Sequence, residues 1–109
     1  MNRSESRIPP PVVDPVRSDG IRFEQVTNGL QTGLDQMGGY LAAYDVDQGM
    51  RLWMLKVYDN LRRPDREGDV QDVFFRSMKL EIDGRLLIEN ERGERFLVDP
   101  DSRSVEPAR

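Results

Sequence analysis

The chain has 109 residues, of which 37% are hydrophobic and 33% are charged, so it suits a single domain with a small core. It contains neither Cys nor His, which excludes disulfides, zinc sites built on these residues and catalysis by Ser-His-Asp or Cys-His groups. The net charge of −4 opposes nucleic-acid binding, because an acidic surface repels phosphate backbones. This composition favours a protein that is not an enzyme and that needs no cofactor or metal.

The first 20 residues are rich in proline, with Pro9, Pro10, Pro11 and Pro15 close together. Each proline fixes φ and removes a backbone donor, which favours a polyproline II conformation. We therefore predict a flexible Pro-rich arm over residues 1–20, one all-β domain over residues 21–105 and a frayed tail over residues 106–109. The prolines stand where a signal peptide would need an apolar helix, and no apolar run is long enough for a membrane span. We expect a cytoplasmic protein with no membrane partner.

Apolar and polar residues alternate in three segments of the first half of the domain. Ile21–Val26 predict the first strand. Residues 30–37 combine helical spacing with several glycines, which predicts a loop or a short helical turn. Residues 40–44 predict the second strand, and the Asp and Gly of residues 45–49 predict the turn after it. Residues 50–58 predict a third strand at the centre of a sheet, because both of its faces are partly apolar.

The second half of the domain predicts further antiparallel strands. After a charged loop, residues 70–82 predict a long strand with a bulge near Arg76 or Ser77, where the alternation changes phase. Asp83 and Gly84 predict a two-residue hairpin turn of type I′. Further strands are predicted over residues 85–89, 94–99 and 104–105. The predicted fold is all-β: an antiparallel meander of about six strands that forms a curled sheet or a small open barrel.

One hairpin carries a family resemblance. A strand ends in Asp45, a short turn carries Gly49 and the next strand carries Trp53; this segment resembles one repeat of the pyrroloquinoline-quinone-type β-propellers. Residues 87–99 resemble the same hairpin more faintly, without a Trp. The resemblance implies a tight hairpin with Trp53 packed against neighbouring strands. It implies no quinone site, since a propeller needs several blades and the chain has too few strands to close one.

The chain as a whole resembles a small bacterial protein, and this resemblance implies no activity. Asp45, Asp47 and Gly49 lack the third ligand and the distant Glu of an EF-hand, so we predict a turn there and no metal site. Trp53 is predicted to be an anchor of the core, because aromatic residues in a protein of this size are mostly buried.

A cluster of acidic residues gives the sharpest candidate for binding chemistry. Glu67, Asp69 and Asp72 directly precede an apolar run. Such carboxylates can act as acid and base or bind Ca²⁺ or Mg²⁺, but nearby arginines favour a solvated loop whose charges pair with one another. Lys56 and Tyr58 lie on a mixed face of the third strand, where we predict that Tyr58 is exposed. These five residues are the candidate ligand-binding set, and no catalytic residue is assigned.

Two classes of function follow from these features. The first is a small non-enzymatic β-sheet binding or assembly module that forms a homodimer or binds a protein partner. An open sheet with apolar residues on both faces must cover one of them. The alternative is a small-molecule or carbohydrate binder, or a weak hydrolase, that uses the acidic cluster at residues 67–72 and nearby aromatic residues. The alternative requires those carboxylates to converge on a concave pocket beside an aromatic ring.

Overall fold

The computed structural model describes residues 9–62 and 70–108, and within them the fold is all-β with a single 3₁₀ turn, Gly29–Thr32. The strands of these residues are β1 (Val16–Ser18), β2 (Ile21–Val26), β3 (Tyr40–Asp45), β4 (Arg51–Lys56), β5 (Leu61–Arg62), β6 (Val70–Gln71), β7 (Phe75–Leu80), β8 (Leu86–Asn90), β9 (Arg95–Asp99) and β10 (Ser104–Ala108). In this part of the chain, no helix has the length and apolar character needed to cross a membrane.

Eight of the ten strands of the described residues lie in two four-stranded antiparallel sheets, and β5 and β6 form a separate two-stranded sheet, so the predicted single meander of about six strands is not found. The first sheet has the order β1-β2-β3-β4 and the second has the order β7-β8-β9-β10. The division arises because β6 pairs with β5 and residues 72–74 separate it from β7, which interrupts the long strand predicted over residues 70–82. The antiparallel all-β class is confirmed. The predicted bulge is found between Phe75 and Ser77.

Both ends of the described chain form strands where the sequence predicted an arm and a tail. β1, within the predicted arm, pairs with β2 along its whole length. Gln25 Nε2 donates a hydrogen bond to the carbonyl oxygen of Pro11 at 3.2 Å, and Val13 packs against the core, so this part of the arm lies on its own domain. β10 pairs with β9 as far as Ala108. Residues 1–8 of the predicted arm lie outside the described residues.

One hydrophobic core joins the inner faces of the two sheets. Its almost fully buried side chains come from both sheets: Phe23, Leu41 and Ala43 from the first, and Leu86, Ile88 and Val98 from the second. Phe75 at the start of β7 is fully buried, with its ring centroid 6.1 Å from that of Tyr58. Trp53 packs against this core with its ring centroid 6.0 Å from that of Phe23, as predicted. Burial of each large side chain stabilises the fold by about 1.5–3 kcal/mol.

β4 is an edge strand, so the prediction that the third strand lies at the centre of a sheet is wrong. Within the described sheet it pairs with β3 alone. Trp53 and Leu55 on its inner face pack against the core. Leu52 is 49% exposed, and Met50 just before the strand is 60% exposed. The apolar residues that suggested a central strand therefore remain partly uncovered by the described chain.

The same turn joins the third and fourth strands of both sheets. Asp45 Oδ1 accepts hydrogen bonds from the amides two and three residues later, at 2.9 and 3.0 Å, and Asp99 Oδ1 does so at 2.9 and 3.5 Å. The carbonyl oxygen of each Asp accepts from the amide four residues later, that of Gly49 at 2.8 Å and that of Arg103 at 2.7 Å. Both of these residues have positive φ, 69° and 56°. The two sheets are therefore equivalent units with equivalent turns.

The two equivalent sheets pack through opposite faces. Buried Ala43 lies two residues before Asp45, whereas buried Val98 lies one residue before Asp99. Side chains alternate between the faces of a strand, so these two residues point to opposite faces of equivalent strands. The outer face of the first sheet thus corresponds to the inner face of the second. The two sheets therefore do not meet through corresponding faces: one face of the first sheet packs against the opposite face of the second.

The hairpin between β7 and β8 differs from the predicted two-residue type I′ turn. The amide of Gly84 donates to the carbonyl oxygen of Glu81 at 3.0 Å, and the amide of Glu81 donates to that of Arg85 at 2.8 Å. The loop therefore has three residues. Gly84 has a φ of 90°, but Asp83 is not among the residues with positive φ, whereas a type I′ turn needs positive φ at both central residues. Loop length is the reason that this prediction is wrong.

Candidate functional site

The five residues predicted to bind a ligand do not form one site among the described residues. Glu67 and Asp69 lie outside the described residues. Asp72 is half-buried directly before the buried Val73. Lys56 is at the end of β4, and none of the pockets reported below is lined by Lys56, Tyr58 or Asp72. The described members of the set therefore share none of these pockets.

Tyr58 is buried, with 7% of its surface exposed, so the prediction that it is exposed is wrong. Val57 keeps the inward parity of Trp53 and Leu55, but β4 ends at Lys56, and Tyr58 no longer follows the alternation and also enters the core. The Tyr58 hydroxyl donates to the carbonyl oxygen of Val73 at 2.9 Å, and its ring stacks on Phe96 with centroids 5.3 Å apart. Burial raises the pKa of this phenol, which stays protonated at neutral pH.

Lys56 is the centre of an ion-pair cluster on the surface. Its Nζ lies 2.8 Å from Asp35 Oδ2 and 2.6 Å from Asp59 Oδ1, and the Tyr40 hydroxyl donates to Asp35 Oδ1 at 2.7 Å. The hydrogen bonds to both carboxylates raise the pKa of Lys56, and the Lys56 ammonium lowers the pKa of Asp35. One ammonium and two carboxylates leave the cluster with one net negative charge. This arrangement holds Lys56 as a structural cation.

Replacement of Asp35 by Asn is expected to reduce the dependence of stability on acid pH. A carboxylate with a lowered folded-state pKa stabilises the fold above its unfolded-state pKa, and this contribution is lost as the pH falls through the folded-state pKa. Thermal melts between about pH 6 and pH 2 should show a smaller decrease in Tm for Asp35→Asn than for the unmodified chain. Asp47→Asn, at an exposed aspartate of a turn, is the control. Equal slopes for the two variants would contradict the role of Asp35.

A buried polar joint, which sequence reasoning missed, connects the loop before β3 to the segment after β4. Gln36 Nε2 donates to the carbonyl oxygens of Gly38 and Tyr58, both at 2.8 Å. Gln36 Oε1 accepts from the amide of Asn60 at 3.0 Å. Asn60 Nδ2 in turn contacts the carbonyl oxygen of Val73 at 3.4 Å. These bonds satisfy backbone groups that have no strand partner, so the joint is structural.

The density of glycine in residues 29–39 was the sequence signal for this joint. A Cβ on Gly38 would lie 2.7 Å from the carbonyl oxygen of Val73 and 2.7 Å from Phe74 Cδ1. Only a residue without a side chain permits this approach. The sequence showed that glycine weakens a helix here, but it did not show which segment packs against the loop.

The outer face of the first sheet carries a shallow pocket beside an aromatic ring. The guanidinium of Arg22 lies 5.0 Å from the centre of the Tyr44 ring and also pairs with Glu24. The pocket has a volume of about 260 Å³. Its lining mixes apolar and polar residues: Glu24, Gln25, Val26, Thr27, Asn28, Thr32, Tyr44, Arg51 and Met54. Ligand pockets typically have about 300–1,000 Å³, so this one is small for a bound molecule.

Two further depressions lie on the second sheet and at the turns. A groove of about 480 Å³ lies between the start of β9 and the end of β10, where Phe96 and Pro107 form part of its wall. A pocket of about 300 Å³ lies among three turns and contains Asp19, Asp83 and Asp99. Within the part of the chain that the structure describes, no group of three or more acidic side chains is placed to hold a metal ion.

Within residues 9–62 and 70–108, the edge of β4 combines exposed apolar side chains with backbone that has no strand partner. We use the name β4 edge for the side of Arg51–Lys56 turned away from β3, together with the exposed side chains of Met50 and Leu52. From Trp53 to Lys56 the strand pairs regularly with β3, and its irregularity is confined to its first residues. The β4 edge is therefore regular from Trp53 to Lys56, and its exposed apolar residues, Met50 and Leu52, lie at its irregular start.

Comparison with known proteins adds no relative. No protein family matches the chain, and neither a curated protein nor a solved structure has significant similarity to it. The function must therefore be inferred from the chain itself.

Proposed function

We propose that the chain is a small non-enzymatic β-sheet assembly module that forms a homodimer. The observation that carries this proposal is the β4 edge, where Met50 is 60% exposed and Leu52 is 49% exposed on a strand with one partner among the described strands. Unpaired strand edges with apolar side chains are sites for pairing with another chain. A core of this size gains stability when such a surface is covered.

The polar residues of the described sites support a role in structure. The Tyr58 hydroxyl donates a hydrogen bond to the carbonyl oxygen of Val73, and Lys56 is held between two carboxylates. The alternative, a small-molecule or carbohydrate binder, has two depressions beside aromatic rings. The pocket beside Tyr44 has a volume of about 260 Å³, below the usual range for ligands, and the groove of about 480 Å³ beside Phe96 is lined by none of the five predicted ligand-binding residues. The exposed apolar strand therefore favours a protein partner over a small molecule.

Sedimentation equilibrium of the full chain tests this proposal. We expect a reversible dimer between about 1 and 300 μM, the range in which micromolar association is measured. Leu52→Lys should weaken the dimer about tenfold, or ~1.4 kcal/mol, because it replaces an apolar side chain of the β4 edge by a charged one. Leu80→Lys is the matched control, since Leu80 is 41% exposed at the end of β7 and should leave association unchanged. A monomer at every concentration would overturn the proposal.

A further inference from the structure

We propose that two copies of the chain pair their β4 edges antiparallel, with Met54 opposite Met54 of the second copy, and so join their first sheets into one continuous sheet. This inference rests on the proposed homodimer and specifies its contact. The occupant of the edge is a second copy of the same strand, and the symmetry is that of an isologous dimer.

At alternate residues, the backbone groups of β4 have no hydrogen-bond partner among the residues that the structure describes. The amide of Val57 donates to the carbonyl oxygen of Gly39 at 2.7 Å, which makes this a hydrogen-bonded pair. Pairs alternate along an antiparallel ladder, so Trp53 and Leu55 direct their N–H and C=O groups to β3. Met54 and Lys56 direct theirs away from β3. The free donors and acceptors of the β4 edge are therefore in the arrangement that a further antiparallel strand requires.

The other three outer strands of the two sheets carry features that oppose pairing. β10 is equivalent to β4, but it contains Pro107, which has no N–H to donate. β1 has three residues and follows Pro15. β7 has a bulge between Phe75 and Ser77 and lies against β1. β7 is regular from Ser77 to Leu80, but β1 lies against it, so β4, which is regular from Trp53 to Lys56 and has no proline, is the edge best placed to add a strand.

The side chains and charges of β4 are compatible with a second copy. With Met54 at the twofold axis, each Trp53 lies opposite Leu55 of the other copy, so apolar residues meet on the inner face. Each Lys56 lies opposite Leu52, which keeps the two ammonium groups apart. Asp35 and Asp59 also neutralise Lys56 within its own copy, with contacts of 2.8 and 2.6 Å. The register therefore places no like charges opposite each other.

Disulfide trapping of Met54→Cys tests this register, because the chain has no other Cys. Residues in a hydrogen-bonded antiparallel pair have Cα atoms about 5.5 Å apart, which is within the range for a disulfide. On mild oxidation, most of Met54→Cys should become a disulfide-linked dimer, whereas Leu80→Cys, at the end of β7, should remain largely monomeric in a denaturing gel. Circular dichroism of the reduced variant verifies that it folds.

Hydrogen exchange of the unmodified chain provides an independent measurement. The amides of Met54 and Lys56 should exchange slowly at high protein concentration and rapidly on dilution, whereas those of Trp53 and Leu55 should be protected at both. If sedimentation shows a dimer but Met54→Cys does not cross-link and these amides show no concentration dependence, the pairing is wrong and the proposed function stands. If sedimentation shows only a monomer, both are wrong.

Discussion

Phe75→Ala should lower the free energy of unfolding by about 3–5 kcal/mol, the cost of removing a large aromatic side chain from a core. Phe75 is fully buried, and its ring lies 6.1 Å from that of Tyr58 between the two sheets. The cavity would lie where β7 meets the core that both sheets share. A domain of this size has a total stability of about 5–15 kcal/mol, so the variant should lose a large share of it.

Urea denaturation followed by Trp53 fluorescence measures this loss, because the single tryptophan packs against the same core. Leu80→Ala is the control on the same strand, and its 41% exposed side chain should make it cost about 1 kcal/mol or less. If Phe75→Ala cost no more than Leu80→Ala, the two sheets would not share one core through Phe75.

Gly29→Ala should destabilise the chain by about 3 kcal/mol, at the upper end of the cost of inserting an atom into a packed site. A Cβ at this position would lie 1.9 Å from the carbonyl oxygen of Gln36 and 3.0 Å from that of Met37. Both obstacles are backbone, so no side chain can rotate to make room. The amide of Gly29 also donates to the carbonyl oxygen of Met37 at 2.9 Å, and this bond would be lost as the loop opens.

Hydrogen exchange shows where in the chain this destabilisation occurs and how large it is. The amide of Leu34 donates to the carbonyl oxygen of Gly29 at 2.8 Å. The amides of residue 29 and of Leu34 should therefore both lose protection in Gly29→Ala. Leu30→Ala is the control, because Leu30 is the next residue and is 56% exposed. Unchanged protection at Leu34, together with unchanged stability, would show that the loop has room at Gly29.

Local patterns in the sequence predicted the strands better than their assembly. The alternation of β2 and β3 and the Asp turn at residues 45–49 were predicted because they depend on neighbouring residues. Residues 70–71 could have extended β7 and paired with the strand beside it, but they pair with residues 61–62. No local pattern in the sequence encodes this choice, on which the division into two sheets depends. The apolar residues on both faces of β4 predicted a central strand, because the sequence alone does not distinguish a central strand from an edge strand that exposes apolar residues.

The candidate site shows the same limit. Lys56 and Tyr58 were grouped because they are two residues apart on a strand, but β4 ends at Lys56 and only one of them remains at the surface. Gln36 and Asn60, which hold the polar joint, are ordinary loop residues in the sequence. Their role depends on a contact between segments more than 20 residues apart, and the glycines around them indicate only that something approaches closely.

The stacking of equivalent sheets through opposite faces defines how this protein could be lengthened by design. Arg22 pairs with Tyr44, one residue before Asp45, and so occupies the position that Leu86 occupies in the second sheet. By the same register, Glu24 corresponds to the buried Ile88. A third four-stranded unit designed to stack on this outer face would therefore need apolar residues in place of the Arg22–Glu24 ion pair.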